Sequence, residues 1–537
     1  TFDAELTRWL PRSSIHSLYF EDDWKITPRL TAYIGVRYTN ESPFSTANNF
    51  MTNFDPTAID DLTGRMGGFI HPTGALSKRD NNNFQPRVGL SWHPLERWVF
   101  RGGFGIYTLD VRIPQQRGQF EEYTATANLE AGPGIPQPIL RLSQGVPPIN
   151  FNIRPNLTSP FFGNNYGSRT AEWWDPNLRN PYTMNWNSSA QYEFARNYLL
   201  EFSYQGSAGV GLVERWNVNT FPIDYFAGNV AQQNAVRGVA QNFRPYPHFG
   251  DIRFRSNMGH STYHGGTVKL EKRYSHGLFF STFYTWSKAI NSQDNDNDGA
   301  GVAPIQNRSL EKARAGYDRK HVYNGLVNYE LPFGLGKRWA NSGWTKYVLG
   351  GLEISVIQTL QSGNPLNFTY TNSPYNYYPG YAGAQRPDAV SRIGIREGWD
   401  DLGPNRFNKG QSLSVFTGEN NGLSHFALPG GCPAVIPANF DRSQCDYRVG
   451  NLGRNTGTGL PLRWTTVSAQ KNFRFNERWN AQLRWDMQNA LKTWNLNPPD
   501  TVVDFRNPQN FGKSTGDPAT ASFGGQPLMN LTLMIQF

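Results

Sequence analysis

About thirteen segments of this chain read as strands on alternation of apolar and polar residues with period two, and the connections between them alternate long and short in strict order. Period two marks a strand with one face against an apolar phase and the other against water. In residues 30–39, Leu30, Ala32, Ile34, Val36 and Tyr38 fall on one face, and Thr31, Tyr33, Gly35, Arg37 and Thr39 on the other. Farther on, Ala481, Leu483, Trp485 and Met487 alternate with Asn480, Gln482, Arg484, Asp486 and Gln488. The last segment does the same: Met529, Leu531, Leu533, Ile535 and Phe537 oppose Asn530, Thr532, Met534 and Gln536.

The expected strands cover residues 14–25, 30–40, 85–94, 98–108, 183–193, 198–207, 261–273, 278–288, 321–331, 347–361, 462–473, 479–490 and 527–537. Connections of 44, 74, 53, 32, 100 and 36 residues lie on one side, against 4, 3, 4, 4, 15 and 5 on the other. A soluble sandwich has no reason to sort loop length by end. Short periplasmic turns facing long extracellular loops are the layout of bacterial outer-membrane barrels. The expected fold is therefore all-β, an antiparallel transmembrane β-barrel with long extracellular loops. Turn chemistry marks Ile26-Thr27-Pro28-Arg29, Pro94-Leu95-Glu96-Arg97 and Ser275-His276-Gly277, and Trp24, Trp98, Tyr274 and Trp479 beside the turns suit an interfacial aromatic girdle.

Strand direction adds a parity argument. If Phe537 ends on the periplasmic side, the first strand also runs downward, and thirteen antiparallel strands cannot close alone. A 22-stranded barrel would place nine more strands before residue 14. The chain opens Thr1-Phe2-Asp3 without Met or a signal peptide, so an upstream export signal is expected.

Composition agrees. Mean hydropathy is −0.58, and no apolar run approaches the length of a transmembrane helix. Yet 16 Trp, 25 Tyr and 35 Phe accompany only 17% charged residues, well below the roughly 25% of soluble domains. The net charge of +9 is scattered, which excludes nucleic acid as a partner and suits a polar lumen, loop surface and anionic headgroups. Outer-membrane lipid and lipopolysaccharide are thus the expected surroundings.

Few local motifs carry chemistry. Asp294, Asp296 and Asp298 precede Gly299 as in the first half of a calcium loop, but the twelfth position is Ile305, so calcium would need Asn residues or Glu311 to supply oxygen. A solvated acidic loop is the alternative. His260 and His264 share a face without a further ligand nearby. Tyr375, Tyr377, Tyr378 and Tyr381, among Asn, Pro and Gly in the longest loop, suit ligand stacking or loop-on-loop packing. Cys432 and Cys445 would form a disulfide in an oxidising compartment, or remain two thiols. Neither a nucleophile elbow, a phosphate loop nor a zinc-protease motif occurs, so no enzyme is expected.

YFEDDWKITPRLTAYIGVRY, QPRVGLSWHPLERWVFRGGFGIY, YHGGTVKLEKRYSHGLFFSTFYTWSKAI, YDRKHVYNGLVNYELPFGLGKRW, GNLGRNTG and KNFRFNERWNAQLRWDMQNAL, in that order, resemble the barrel of Oar-like TonB-dependent outer-membrane receptors. The resemblance implies that residues 1–537 are the C-terminal part of one 22-stranded barrel. It also implies an N-terminal plug and a TonB box, neither of them within these residues, through which the TonB complex would act. The function it implies is capture of a solute by the extracellular loops and its import. The alternative is a surface interaction or structural protein whose loops bind another protein or matrix.

Overall fold

Successive side chains on a strand point to opposite faces, so each alternating segment has one apolar and one polar wall before any tertiary contact forms. The computed structural model describes the chain apart from residues 1, 6–9, 44, 48–50, 62, 111–123, 128–142, 144–169, 221–228, 230, 233–234, 236–238, 295–304, 372–385, 396–411, 432–449, 475–479, 494, 506–508, 516–526 and 537. Thirteen strands form one continuous path: β1 (Ile15–Thr27), β2 (Leu30–Glu41), β3 (Phe84–Leu95), β4 (Trp98–Thr108), β5 (Tyr182–Ala195), β6 (Tyr198–Asn217), β7 (Ile252–Ser275), β8 (Leu278–Asn291), β9 (His321–Glu330), β10 (Leu352–Gln361), β11 (Leu462–Arg474), β12 (Asn480–Gln488) and β13 (Leu528–Gln536). Each pairs antiparallel with the next in sequence, as a meander. The expected number and order of strands hold. β1 and β13 end the path, and among the described residues no ladder joins them.

Register keeps the apolar residues together. Ile34 faces Val88, Val88 faces Phe104, and Phe104 faces Trp186, giving one row across four strands. At the other end, Leu352, Lys471, Leu483 and Leu533 form a similar row. These side chains stay uncovered: Leu18 is 76% exposed, Phe20 66%, Leu531 70% and Leu533 62%. Such a continuous apolar wall is far larger than a soluble monomer exposes. Each large side chain moved from water into hydrocarbon contributes about 1.5–3 kcal/mol. Two lysines that fall on this wall lie at its periplasmic edge, where turn carbonyls receive them. Lys272 donates to Ser275 O and Leu278 O, both at 2.8 Å or less, and Lys471 donates to Tyr347 O at 2.8 Å and to Gly350 O.

Four connections on the short side are two residues long: Pro28–Arg29, Glu96–Arg97, Arg196–Asn197 and His276–Gly277. His276 and Gly277 both have positive φ, 53° and 78°, the mirror-image turn whose twist matches paired strands. Beside these turns Trp24 and Tyr274 are exposed, and Trp98 stacks on Tyr192 at 4.4 Å. Trp479 and Phe537 lie outside the described residues.

Three elements depart from expectation. β6 and β7 run 20 and 24 residues, beyond residues 207 and 261 where the alternation fades. At about 3.3 Å per residue, β7 is roughly 80 Å long, far more than a membrane band of about 25 Å requires. The extensions carry Glu214, Arg215, Arg253 and Arg255, whose charges erase the apolar signal while their ladder continues. The start of the segment 347–361 is instead a short helix, Thr345–Leu349, because Gly350 and Gly351 (φ 72°) break the backbone before β10 begins.

Candidate functional site

The inner wall of the sheet is polar, and its side chains bond along and across strands. Arg87 meets Glu21 at 3.3 Å and lies over the Tyr107 ring at 4.8 Å. Arg37 donates to Ser17 Oγ at 3.1 Å. Arg101 donates to Gln191 at 2.8 Å, and Gln191 donates to Glu201 at 2.9 Å. Farther round, Thr359 donates to Asn324, Ser355 to Asn328, and Gln470 to Glu353. Arg484 and Ser468 both donate to Asp486. Exposed pairs of this kind contribute only about 0–1 kcal/mol each. Their consequence is chemical: they make a hydrophilic wall.

Above the strands the described parts of the long connections fold into two units. The first gathers residues from the loops after β2, β4 and β6 around Phe54, Phe69, Ala171, Phe249 and Ile252, all buried. Phe54 meets Trp173, Tyr246 and Phe249 edge-on at 5.0–5.8 Å. The segment Ala171–Trp174 runs parallel to the extension of β7. Glu172 is fixed there by Arg255 at 3.0 Å and Arg253 at 3.4 Å. Asn219, fully buried, donates to Tyr246 O, Phe249 O and Gly250 O, so one amide closes a whole turn.

The second unit draws on the loops after β8, β10 and β12. Its core is Leu366, Phe368, Phe416, Phe426, Leu452, Val503 and Phe511. Beside it lies a buried charge network. Glu311 contacts Arg386, while Arg454 donates to Glu311 O at 3.2 Å and meets Asp294 at 2.6 Å. Burial, reinforced by the Arg454 charge, pushes the Arg386 guanidinium down to about 10. Burial works against ionisation of Asp294, yet donation from Gly316 N–H, Asn291 and Arg454 outweighs it and holds the carboxyl below its ordinary value. Arg308, in the loop after β8, is held against the extensions of β6 and β7: it meets Glu214 at 3.5 Å, lies over Trp216 at 5.5 Å and donates to Met258 O.

The residues singled out from sequence meet different fates. Tyr375, Tyr377, Tyr378, Tyr381, Asp296, Asp298, Cys432 and Cys445 lie outside the described residues. Asp294 has both oxygens filled by donors, Asn291 and Gly316 on one, Asn455 and Arg454 on the other. Glu311, considered as an oxygen donor to a cation, faces two guanidinium groups instead. Among the described residues no group of three His, Cys, Asp or Glu side chains could hold a metal. His264 shares a 2.7 Å hydrogen bond with Tyr204 on the outward face, whereas the backbone N–H of His260 donates to Ser292 Oγ. Sequence reasoning missed Arg386 and Arg454. The segment GNLGRNTG, which contains Arg454, was their one visible sign.

An apolar outer wall, a polar inner wall, tight turns at one end and folded loops at the other define an integral outer-membrane β-barrel protein. The family model described as "Outer membrane beta barrel domain" matches residues 3–525, and the chain belongs to that family. No curated protein matches it. Among solved structures it is similar to the ferric citrate transporter FecA in its unliganded form, with 9% identity and a TM-score of 0.41 over 98% of this chain and 45% of that one. It is also similar to the outer membrane transporter YddB from Escherichia coli (8% identity, TM-score 0.40, 98% of this chain, 54% of that one). The FrpB iron transporter from Neisseria meningitidis is comparable (11% identity, TM-score 0.39, 98% and 55%). The chain spans about half the length of these structures or less.

Proposed function

We propose that this chain is the C-terminal portion of an Oar-like, TonB-dependent receptor that captures a solute at its extracellular loops and imports it. The observation that carries the reading is the contrast between the two walls of the sheet. The inner wall is lined by bonded Arg, Glu, Asn, Gln and Ser side chains, and folded loop units stand over its extracellular end. Such a wall suits passage of a polar solute; a purely structural barrel has no need of it.

Strand direction supports a larger barrel. β1 and β13 run the same way, so a seam between them would be parallel, and an odd number of further strands restores antiparallel closure. Nine more, giving 22, would come from the same gene together with the plug and TonB box. In this reading Tyr375, Tyr377, Tyr378 and Tyr381 belong to the solute-contacting loop, and Cys432 with Cys445 forms a disulfide that limits its spread.

The test compares a deletion strain with the same strain restored by the full-length gene, grown in one defined medium with and without a proton uncoupler. The reading expects at least one solute to be depleted only when the gene is present and the membrane energised. Identical depletion in all arms would overturn it. Binding of cells to a protein or matrix that depends on the gene but persists under the uncoupler would favour the surface-interaction alternative.

A further inference from the structure

The outward wall is not uniform. A groove of about 760 Å³ crosses it from β3 to β8, where Gly102, Ser188, Ala190 and Gly266 leave low ground among Trp92, Phe202 and Tyr284. Gly266 shows how open this ground is: a Cβ added there would meet no atom within 4 Å. Six strands at about 4.8 Å spacing make the groove roughly 24 Å wide, room for several acyl chains side by side.

Toward the extracellular end a second recess, of about 650 Å³, shares Tyr204, Gly266 and Trp286 with the groove. Its rim has a different chemistry. His264, Lys288 and Lys320 line it, and both lysines are exposed without an acidic partner among the described residues. The carboxylate in the recess, Asp318, is already neutralised by Arg314 at 2.9 Å and accepts from the Ala289 N–H at 2.7 Å. Trp186 donates to Tyr204, which bonds His264, so rings and polar edges meet at this level. Trp286 is 61% exposed beside them.

We propose that the two recesses form one site for a phosphorylated, multiply acylated glycolipid of the extracellular leaflet. The groove takes the acyl chains and continues the apolar wall that already faces hydrocarbon. Lys288 and Lys320 take phosphate, for which an ammonium is a strong point-charge partner. Trp286 and the Tyr204–His264 pair lie where an amphipathic ring can cover a sugar face. A phospholipid would fill only part of the groove's width, and a free phosphate would leave it empty.

The full-length protein, extracted in mild detergent and freed of endogenous lipid, is offered diphosphoryl lipid A, monophosphoryl lipid A or phosphatidylethanolamine, and retained lipid is counted by native mass spectrometry. The site predicts the order diphosphoryl, monophosphoryl, phosphatidylethanolamine. Lys288→Gln or Lys320→Gln lowers retention of the diphosphoryl form about fivefold, as about 1 kcal/mol per surface lysine implies. Gly266→Phe fills the groove and lowers retention of both lipid A forms, while its melting transition in detergent stays with that of the wild type. Equal retention of all three lipids by the wild type overturns the proposal. So does wild-type retention by both the lysine variants and Gly266→Phe.

Discussion

Arg454 decides whether the second loop unit is one object. Its guanidinium ties Asn291, the last residue of β8, and Asp294, from the loop after β8, to its own segment in the loop after β10, and its Nε donates to Glu311 O. Removing one member of a buried ionic group strands the others, at a cost of about 3–5 kcal/mol. Arg454→Ala is therefore expected to raise amide exchange across residues 450–457 and 310–316 by several hundredfold while the strands keep their protection. Unchanged exchange in those segments would contradict the role assigned to Arg454. Asp294 gives this network a pH dependence with a definite sign. Its folded pKa is depressed, so its stabilisation is present at neutral pH and is lost as pH falls through that lowered value. Protection at 450–457, taken relative to the intrinsic exchange rate, should fall below about pH 4 in the wild type, and Asp294→Asn should be less protected at pH 7 and its protection flatter with pH. Little of this was legible beforehand, because Arg454 and Glu311 are separated by 143 residues and nothing local marks their meeting.

At the scale of elements, the strands were legible because lipid and lumen impose opposite demands on neighbouring residues. Phe202 and Ser203 of β6 are adjacent and face opposite phases: Phe202 pairs with Val268 on the outer wall, Ser203 with Thr267 on the inner. Phe202→Arg is expected to destabilise the protein in vesicles by about 2–4 kcal/mol, and Ser203→Arg by less than about 1 kcal/mol, as urea unfolding would register. Equal effects would mean that the two walls are not in different media. The failures of the reading are equally physical. Charged residues on the extensions of β6 and β7 hid strands that do not need lipid, and the Gly350–Gly351 break turned an apparent strand start into the helix Thr345–Leu349. That helix leaves Trp344, Tyr347 and Val348 exposed at the periplasmic end, with Lys346 over Tyr347 at 4.8 Å, as an interfacial anchor would.

For the molecule as a whole, order and number of strands could be read because sequence neighbours are sheet neighbours throughout the meander. The loop units could not, since the first core joins residues from three separate connections and the second from two. Capture of a solute requires those units to face the cell exterior and the two-residue turns to face the periplasm. Single cysteines at Ser391, in the second unit, and at Arg29, in the turn between β1 and β2, test this in a background with Cys432→Ser and Cys445→Ser. A membrane-impermeant maleimide applied to intact cells should label position 391 at once and position 29 only after the outer membrane is permeabilised. Labelling of position 29 in intact cells, with position 391 protected, would contradict the account.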